Sequence, residues 1–308
     1  MRKAIGIGET ILDIIFQDNQ PRKAVPGGST FNCMISLGRC GVPALFISEL
    51  GKDRVGKLIQ SFMEENHLSS DYVRFFEDGQ SPVSMAFLDE NQNAEYLFYR
   101  DFPEQRPAVS FPVIHENDVV ILSSYFAVNP ALRDTVSRLL NYAKAQKALI
   151  YYDINFRKAH APERIQLMDN FMDNFRCSTI IRCSDEDLEV LFPTLGPEEI
   201  YTRYFLPYKK NLIITQGEKG ILLKTPLFKK EYPVEAVTPV STIGAGDNFN
   251  AGLVYGLFKA DLSLNDLNEL TENQWDALIE WAKAFATEVC LSMDNYVSLQ
   301  TGSRLLVR

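Results

Sequence analysis

The chain has 308 residues, 46% of them hydrophobic, and a formal net charge of −9, so it can bury one large core and carries no broad basic surface. That balance argues against nucleic acid or an anionic membrane as partner. No apolar run reaches the length of a bilayer span, and five cysteines without a Cys-x-x-Cys pair argue against a disulfide framework or zinc site, which implies a soluble, cytoplasmic protein with reduced thiols.

Near the start, Gly6-Ile7-Gly8-Glu9 begins like a dinucleotide fingerprint but lacks the third glycine and runs into a strand, Ile11-Leu12-Asp13-Ile14-Ile15-Phe16, where a helix would be needed. Asp13 stands alone among apolar residues, which costs stability unless the carboxylate is paired or meets a polar ligand. Pro26-Gly27-Gly28-Ser29-Thr30-Phe31-Asn32 then leads into an apolar run that stops at Gly38-Arg39-Cys40-Gly41. Ser29 or Thr30 is expected as the N-cap of this helix, with Gly41 just past its end. A strand at 44–50 and a polar loop at 51–56 precede an amphipathic helix. Leu58 stands where a P-loop would need a magnesium-binding hydroxyl, so that loop is set aside as a nucleotide site.

Segments 83–89 and 94–100, joined through Glu90-Asn91-Gln92-Asn93, read as a hairpin with an aromatic face of Tyr96, Phe98 and Tyr99. Apolar runs at 148–153 and 212–215 read as buried parallel strands. The first would deliver Asp153, Asn155 and Arg157 to the carboxyl edge of a sheet, and the second Thr215, Gly217 and Gly220. Trp281, Ala282, Phe285, Ala286 and Val289 recur at helical spacing, as core or as the wall of an adenine site.

The most informative stretch is Ser241-Thr242-Ile243-Gly244-Ala245-Gly246-Asp247-Asn248-Phe249-Asn250. A strand is expected to end near Val240 and a helix to begin near Gly246, because Phe249, Leu253, Val254, Leu257 and Phe258 follow at helical spacing. Gly244 and Gly246 let the backbone approach a ligand, and first-turn N–H groups without intrahelical partners favour a phosphate. Asp247 sits among those donors. As an N-cap it needs no ligand; beside a phosphate it makes sense as a base that takes a proton from an attacking hydroxyl.

Together, Gly27-Gly28 with Asn32, and Gly244-Ala245-Gly246-Asp247, resemble the paired signatures of the ribokinase-like carbohydrate kinases, the PfkB family. Gly8-Glu9 with Asp13, Asp153-Ile154-Asn155-Phe156-Arg157 and Thr215-Gln216-Gly217-Glu218-Lys219-Gly220 fall in matching order. The resemblance implies an α/β chain: a three-layer α/β/α ribokinase-like fold over residues 1–308, with a mainly parallel central sheet and a small β-sheet lid formed by about 11–26 and 83–101. It implies an ATP-dependent sugar kinase that transfers the γ-phosphate to a primary hydroxyl of a monosaccharide. Asp247 would act as base, with Gly244, Ala245 and Gly246 stabilising the developing charge. Asp13, Gly27, Gly28, Asn32, Tyr99, Arg100, Asn155 and Arg157 would hold the sugar. Thr215, Gly217, Gly220, Thr242, Gly244 and Gly246 would hold ATP, which carries magnesium. A homodimer through the lid is implied as well. Within the family the chain is most similar to fructokinases, through Asp153-x-Asn155-x-Arg157 and Phe98-Tyr99-Arg100. Ketodeoxygluconate kinases share both features, and ribose and nucleoside kinases are less similar.

Three departures qualify the match. Ser241-Thr242-Ile243 replaces a segment with a carboxylate linked to a monovalent cation, so potassium does not carry over. Ser184-Asp185-Glu186-Asp187 stands where the family has Asn-x-x-Glu, which leaves Asp187 as a metal contact through water and no direct ligand. Leu291-Ser292-Met293-Asp294-Asn295 replaces a Gly-Ala turn near the adenine. These prompt a rival reading, a sugar- or nucleotide-sensing protein without turnover, against which the intact glycine turn and Asp247 argue.

Overall fold

The computed structural model describes residues 1–88, 94–102 and 109–307. Its strands are β1 (Ala4–Ile7), β2 (Ile11–Gln17), β3 (Gln20–Gly27), β4 (Ala44–Gly51), β5 (Leu68–Ser69), β6 (Val73–Phe76), β7 (Gln80–Leu88), β8 (Ala94–Asp101), β9 (Val119–Ser123), β10 (Leu149–Asp153), β11 (Ile180–Ser184), β12 (Asn211–Thr215), β13 (Ile221–Lys224) and β14 (Lys229–Tyr232). The helices are α1 (Ser29–Arg39), α2 (Arg54–Glu65), α3 (Arg133–Ala145), α4 (Arg164–Cys177), α5 (Asp185–Leu191), α6 (Pro197–Ile200), α7 (Ala245–Lys259), α8 (Glu272–Cys290) and α9 (Leu299–Arg304). The hairpin turn at 89–93 and the side chain of Tyr96 lie outside the described part.

The large sheet has the order β14-β13-β12-β11-β10-β9-β1-β4-β5, with β6 also on β4. It is parallel from β12 to β5, and β13 and β14 add an antiparallel edge. Helices cover both faces, and successive strand residues feed opposite cores. Ile213 packs with Phe31, Leu253 and Trp275 on one side, while Leu212 and Ile214 pack with Leu140, Phe171 and Phe175 on the other. Burial on both faces explains why these strands appear as unbroken apolar runs. Their carboxyl ends, at Ser123, Asp153, Ser184 and Thr215, line one edge, the usual ligand side of a parallel sheet.

The smaller sheet has the order β3-β2-β7-β8 and is mixed, with β2 and β7 parallel and the outer pairs antiparallel. Its register puts Asp13 opposite Ser84 and Ser84 opposite Phe98, so these three and Arg100 share a face. Ile14, Phe16, Met85, Phe87, Leu97 and Tyr99 form the other face, and Phe16 stacks on Phe87 at 4.8 Å.

The strand expected to end near Val240 does not form, and residues 233–244 are irregular. Pro233 and Pro239 offer no ladder donors, and the Val240 and Ser241 N–H groups both bond to the Cys290 carbonyl at the end of α8. The Trp281 to Val289 stripe is core on α7: Trp281 and Phe285 pack on Tyr255 with ring centroids 4.9 and 5.4 Å apart.

The two helices meet at Gly252, where an added Cβ would collide with the Trp281 carbonyl and stand 2.8 Å from Ala282 Cα. An alanine in a helix interior normally gains about 1 kcal/mol over glycine. Here the sign should reverse: Gly252→Ala is expected to destabilise the fold by about 1–3 kcal/mol through overpacking against backbone. Urea unfolding would check this, and a variant as stable as the parent would show that the two helices can separate at no cost.

Candidate active site

The site is assembled where the start of α7 meets the start of α1. Gly244 is the N-cap of α7 and adopts φ 80°. A side chain there would be strained, and its Cβ would come 2.9 Å from the Asn295 carbonyl. Ala245 N–H turns back to Thr242 O at 3.3 Å, and the next two amides, of Gly246 and Asp247, belong to the first turn, whose donors lack intrahelical partners.

Asp247 is not the N-cap; it lies half-buried in the first turn, at the base of the cleft. Its Oδ1 accepts from Ser29 Oγ at 2.7 Å and its Oδ2 from Asn32 Nδ2 at 2.8 Å. Burial pushes its pKa up, opposed by these two hydrogen bonds and by Arg157 and Arg182. The expected capping role of Ser29 or Thr30 gives way to this cleft. Gly28 is the N-cap of α1, without a side-chain bond, and Thr30 pairs with Ser123 at 2.7 Å. The tertiary partners outcompete the local cap. Gly41 adopts φ 76° just past the helix, as expected.

Asp13 faces the same cleft from β2. It is 8% exposed, accepts a hydrogen bond from Ser84, and lies so close to Gly27 that any Cβ there would strike its carboxylate. Gly28, at φ 127°, has no room for a Cβ beside the Glu9 carbonyl. Desolvation raises the Asp13 pKa to about 6, with Asp247 and Glu9 adding to the rise and Ser84 and Arg157 opposing it. Arg157, exposed at the loop after β10, thus acts on both cleft carboxylates. Asn155, two residues before it, holds a left-handed turn at φ 37°.

Arg100 pairs with Glu9 at 3.0 Å and lies over the Phe98 ring at 4.9 Å. Tyr99 is not brought to this cleft. Adjacent strand residues point to opposite faces, so Tyr99, 56% exposed, lies on the outer face of the small sheet.

The residues expected to contact a nucleotide are spread over several settings. Thr215 Oγ1 accepts from Arg182 Nη2 at 2.6 Å. Gly220 is required by the turn itself, because its Cβ would strike the Tyr232 carbonyl, whereas Gly217 at φ 57° borders open space and Thr242 is exposed. Asp187 closes a capping box on α5: its carboxylate accepts from Ser184 N at 2.7 Å, Ser184 Oγ at 2.8 Å and Phe156 N at 2.7 Å. Asp153, expected to face the crevice, is fully buried.

Arg182 was missed from the sequence. It is 7% exposed, and its Nη1 bonds both Asp153 oxygens at 3.1 and 3.3 Å. Asn250 Nδ2 donates to Asp153 at 2.7 Å, and Tyr151 holds Asn250 at 2.8 Å. The detectable signal was a charge inside the run Ile180-Ile181-Arg182-Cys183.

Behind the turn, Asn248 is fully buried; its amide donates to the Gly244 carbonyl at 2.8 Å and the Asn295 carbonyl at 2.7 Å. The loop bearing Asn295 is also fastened to β3, through Tyr296 to the Pro26 carbonyl and Lys23 to Asp294.

A cleft with a glycine-capped helix start, a desolvated carboxylate in its first turn and a second buried carboxylate under a small sheet has the parts of a phosphotransferase site. Residues 1–301 match the model of the pfkB family carbohydrate kinases, and the chain belongs to that family. It is a sugar kinase with the ribokinase-like fold. Fructokinase-1 of Zea mays is 26% identical over 286 residues, covering 91% of this chain and 87% of that protein. Fructokinase-1 of Oryza sativa is 26% identical over 252 residues, covering 80% and 78%. Among solved structures, a fructokinase double mutant from Vibrio cholerae O395, with fructose, ADP and potassium ion bound, superposes with TM-score 0.83 at 19% identity, covering 99% of this chain and 98% of that one. Aminoimidazole riboside kinase from Salmonella enterica superposes with TM-score 0.78 at 20% identity, covering 99% and 100%.

The Asp13 environment makes a stability prediction. A folded-state pKa near 6, against an ordinary 3.8, means that the folded protein holds a proton that the unfolded chain releases, so stability falls as pH rises from about 4 through 6. At about 1.4 kcal/mol per unit, the ionised carboxylate costs the unliganded fold about 3 kcal/mol at neutral pH. Asp13→Asn should therefore raise Tm at pH 7.5 and lose that advantage below about pH 4. An unchanged Tm at pH 7.5 would show that the carboxylate is not desolvated.

Proposed function

We propose that the protein is an ATP-dependent kinase acting on the primary hydroxyl of a neutral ketose, with fructose the best candidate. The observation that carries this reading is Asp247, a desolvated carboxylate in the first turn of α7, held by Ser29 and Asn32. Asp247 takes the proton from the sugar hydroxyl as its oxygen attacks the γ-phosphorus. The bond from phosphorus to the β,γ-bridging oxygen breaks, and ADP leaves with that electron pair. The Gly246 and Asp247 amides face the developing charge, and Arg157 bridges the two cleft carboxylates electrostatically. Asp13, Asn32 and the Gly27-Gly28 turn supply partners for sugar hydroxyls.

Magnesium, when bound, neutralises charge on the transferring phosphates. The chain itself builds no cage for it: among the described residues no three His, Cys, Asp or Glu side chains are placed to hold a metal ion, and Asp187 already accepts three hydrogen bonds. The ion would travel on the nucleotide's phosphates. Potassium dependence is expected to be weak, because the Asn248 amide already grips the Gly244 carbonyl of the turn and the Asn295 carbonyl of the loop behind it, and Ser241 Oγ accepts from Ile243 N at 3.2 Å.

The neutral sugar is favoured over ketodeoxygluconate because Asp13 would repel its carboxylate and Arg100 is already paired with Glu9. A coupled ADP-release assay tests the reading. Fructose should exceed ketodeoxygluconate, ribose and adenosine in kcat/KM, sodium should replace potassium with less than about a tenfold loss, and Asp247→Asn should lower kcat by at least about 10²-fold. Higher kcat/KM for the acid sugar moves the assignment to ketodeoxygluconate, and near-normal turnover of Asp247→Asn removes the base.

The small sheet is proposed to pair with that of a second copy. Its outer face carries Ile14, Phe16, Met85 and Phe87, half-buried, beside Leu97 at 48% and Tyr99 at 56% exposure, a contiguous apolar surface of the kind that marks interfaces. Light scattering at micromolar concentration should give a dimer mass for the parent and a monomer mass for Leu97→Glu. A monomeric parent would end the proposal.

A further inference from the structure

Arg182 occupies a place that the transfer chemistry described above does not explain. Its guanidinium lies closest to the space a side chain at Gly246 would take: a Cβ there would stand in tight contact, 3.0 Å from both terminal nitrogens and 3.3 Å from the carbon between them. The same side chain reaches Asp153 at the end of β10 and Thr215 at the end of β12, and its backbone carbonyl accepts from Ile154 N at 2.9 Å. Phe249, one turn into α7, lies 5.9 Å from its centre. One buried cation therefore touches the sugar-side loop, the nucleotide-side strand and the floor of the helix start.

As a stabilising device this is a poor choice. Burying an Asp–Arg pair removes two charges from water, and a neutral apolar pair of similar volume is often as stable or more so. A lysine could neutralise Asp153 but could not reach Thr215 and support Gly246 together, because it lacks the planar fork. The arrangement makes sense if the charge and the fork serve the helix start.

Resting on the kinase reading above, we propose that Arg182 is a positioning residue for the phosphoryl transfer. It supports the anion-binding turn from below through Gly246 and keeps a fixed positive charge beside Asp247. It acts on the reaction through these two groups.

The groups that bear on Asp247 are Asp13 from β2, Ser29, Asn32 and Cys33 from α1, Asp153 from β10, Arg157 from the following loop, and Arg182 from β11. Removing Arg182 takes away one of two cations and leaves the carboxylates. The acid limb of the kcat/KM profile should then move to higher pH.

The test uses Arg182→Lys and Arg182→Met in the full-length protein, with pH profiles on the best sugar and circular dichroism to confirm folding. Arg182→Met should lose about tenfold or more in kcat, with its acid limb raised by about half a unit or more. Arg182→Lys should also lose kcat, with its acid limb within about 0.2 of the parent's, because it retains charge but not the fork. Loss of activity with an unmoved limb in Arg182→Met marks a merely structural residue and overturns the proposal, as does full activity of Arg182→Lys. Should Arg182→Met fail to fold, the lysine variant decides alone: lower kcat with a native fold and an unmoved limb supports the proposal, and full activity overturns it. A parent protein that phosphorylates no sugar fails the kinase reading itself, which is a separate outcome.

Discussion

The cleft is organised by the need to keep buried and half-buried carboxylates ionised. Asp13, Asp153 and Asp247 all lie within one site, and burial raises the pKa of each. Unopposed, that arrangement would favour the protonated form of all three. Two guanidiniums oppose it from different directions, Arg157 from the rim and Arg182 from beneath, while Ser29, Asn32, Ser84 and Asn250 supply neutral donors. Much of the surrounding architecture follows. α1 begins at Gly28 so that its first turn can reach Asp247, and β11 carries a charge through a hydrophobic layer so that it can reach Asp153. The unliganded fold gives up stability to hold a site ready for its ligands.

Both glycine turns were legible because backbone conformation and chemistry agree there. Gly28 and Gly244 adopt angles that side chains resist, and the residues after them are polar where a helix start can use them. The buried parallel strands were equally plain from their apolar runs. Roles that depend on distant partners were not. Local rules make Ser29 or Thr30 a cap, but their hydroxyls serve Asp247 and Ser123, which are far away in sequence. The Thr215 hydroxyl likewise accepts from Arg182, a partner that no local pattern names.

Other misses were avoidable. The argument that singled out Asp13, a charge in an apolar strand, applies equally to Arg182. The period of two that defines a strand separates Tyr99 from Arg100 without any structure. Local sequence reads Gly246 only as room for a ligand, and the structure adds a guanidinium that a Cβ there would meet at 3.0 Å. The strand before Ser241 fails because Pro233 and Pro239 interrupt its donors and the next two amides, of Val240 and Ser241, bond to the end of α8.

The fastening of β3 to the C-terminal loop carries a mechanical consequence. Tyr296 and Lys23 tie that loop to the base of the small sheet, and Asn248 ties it to the first turn of α7. The strand that bears Gly27 and the turn that bears Gly244 are thus two ends of one lever, with Asn295 as the pivot. A displacement of the small sheet would therefore be felt at the carbonyl packed against Gly244, and a displacement of the α7 turn at the strand that bears Gly27.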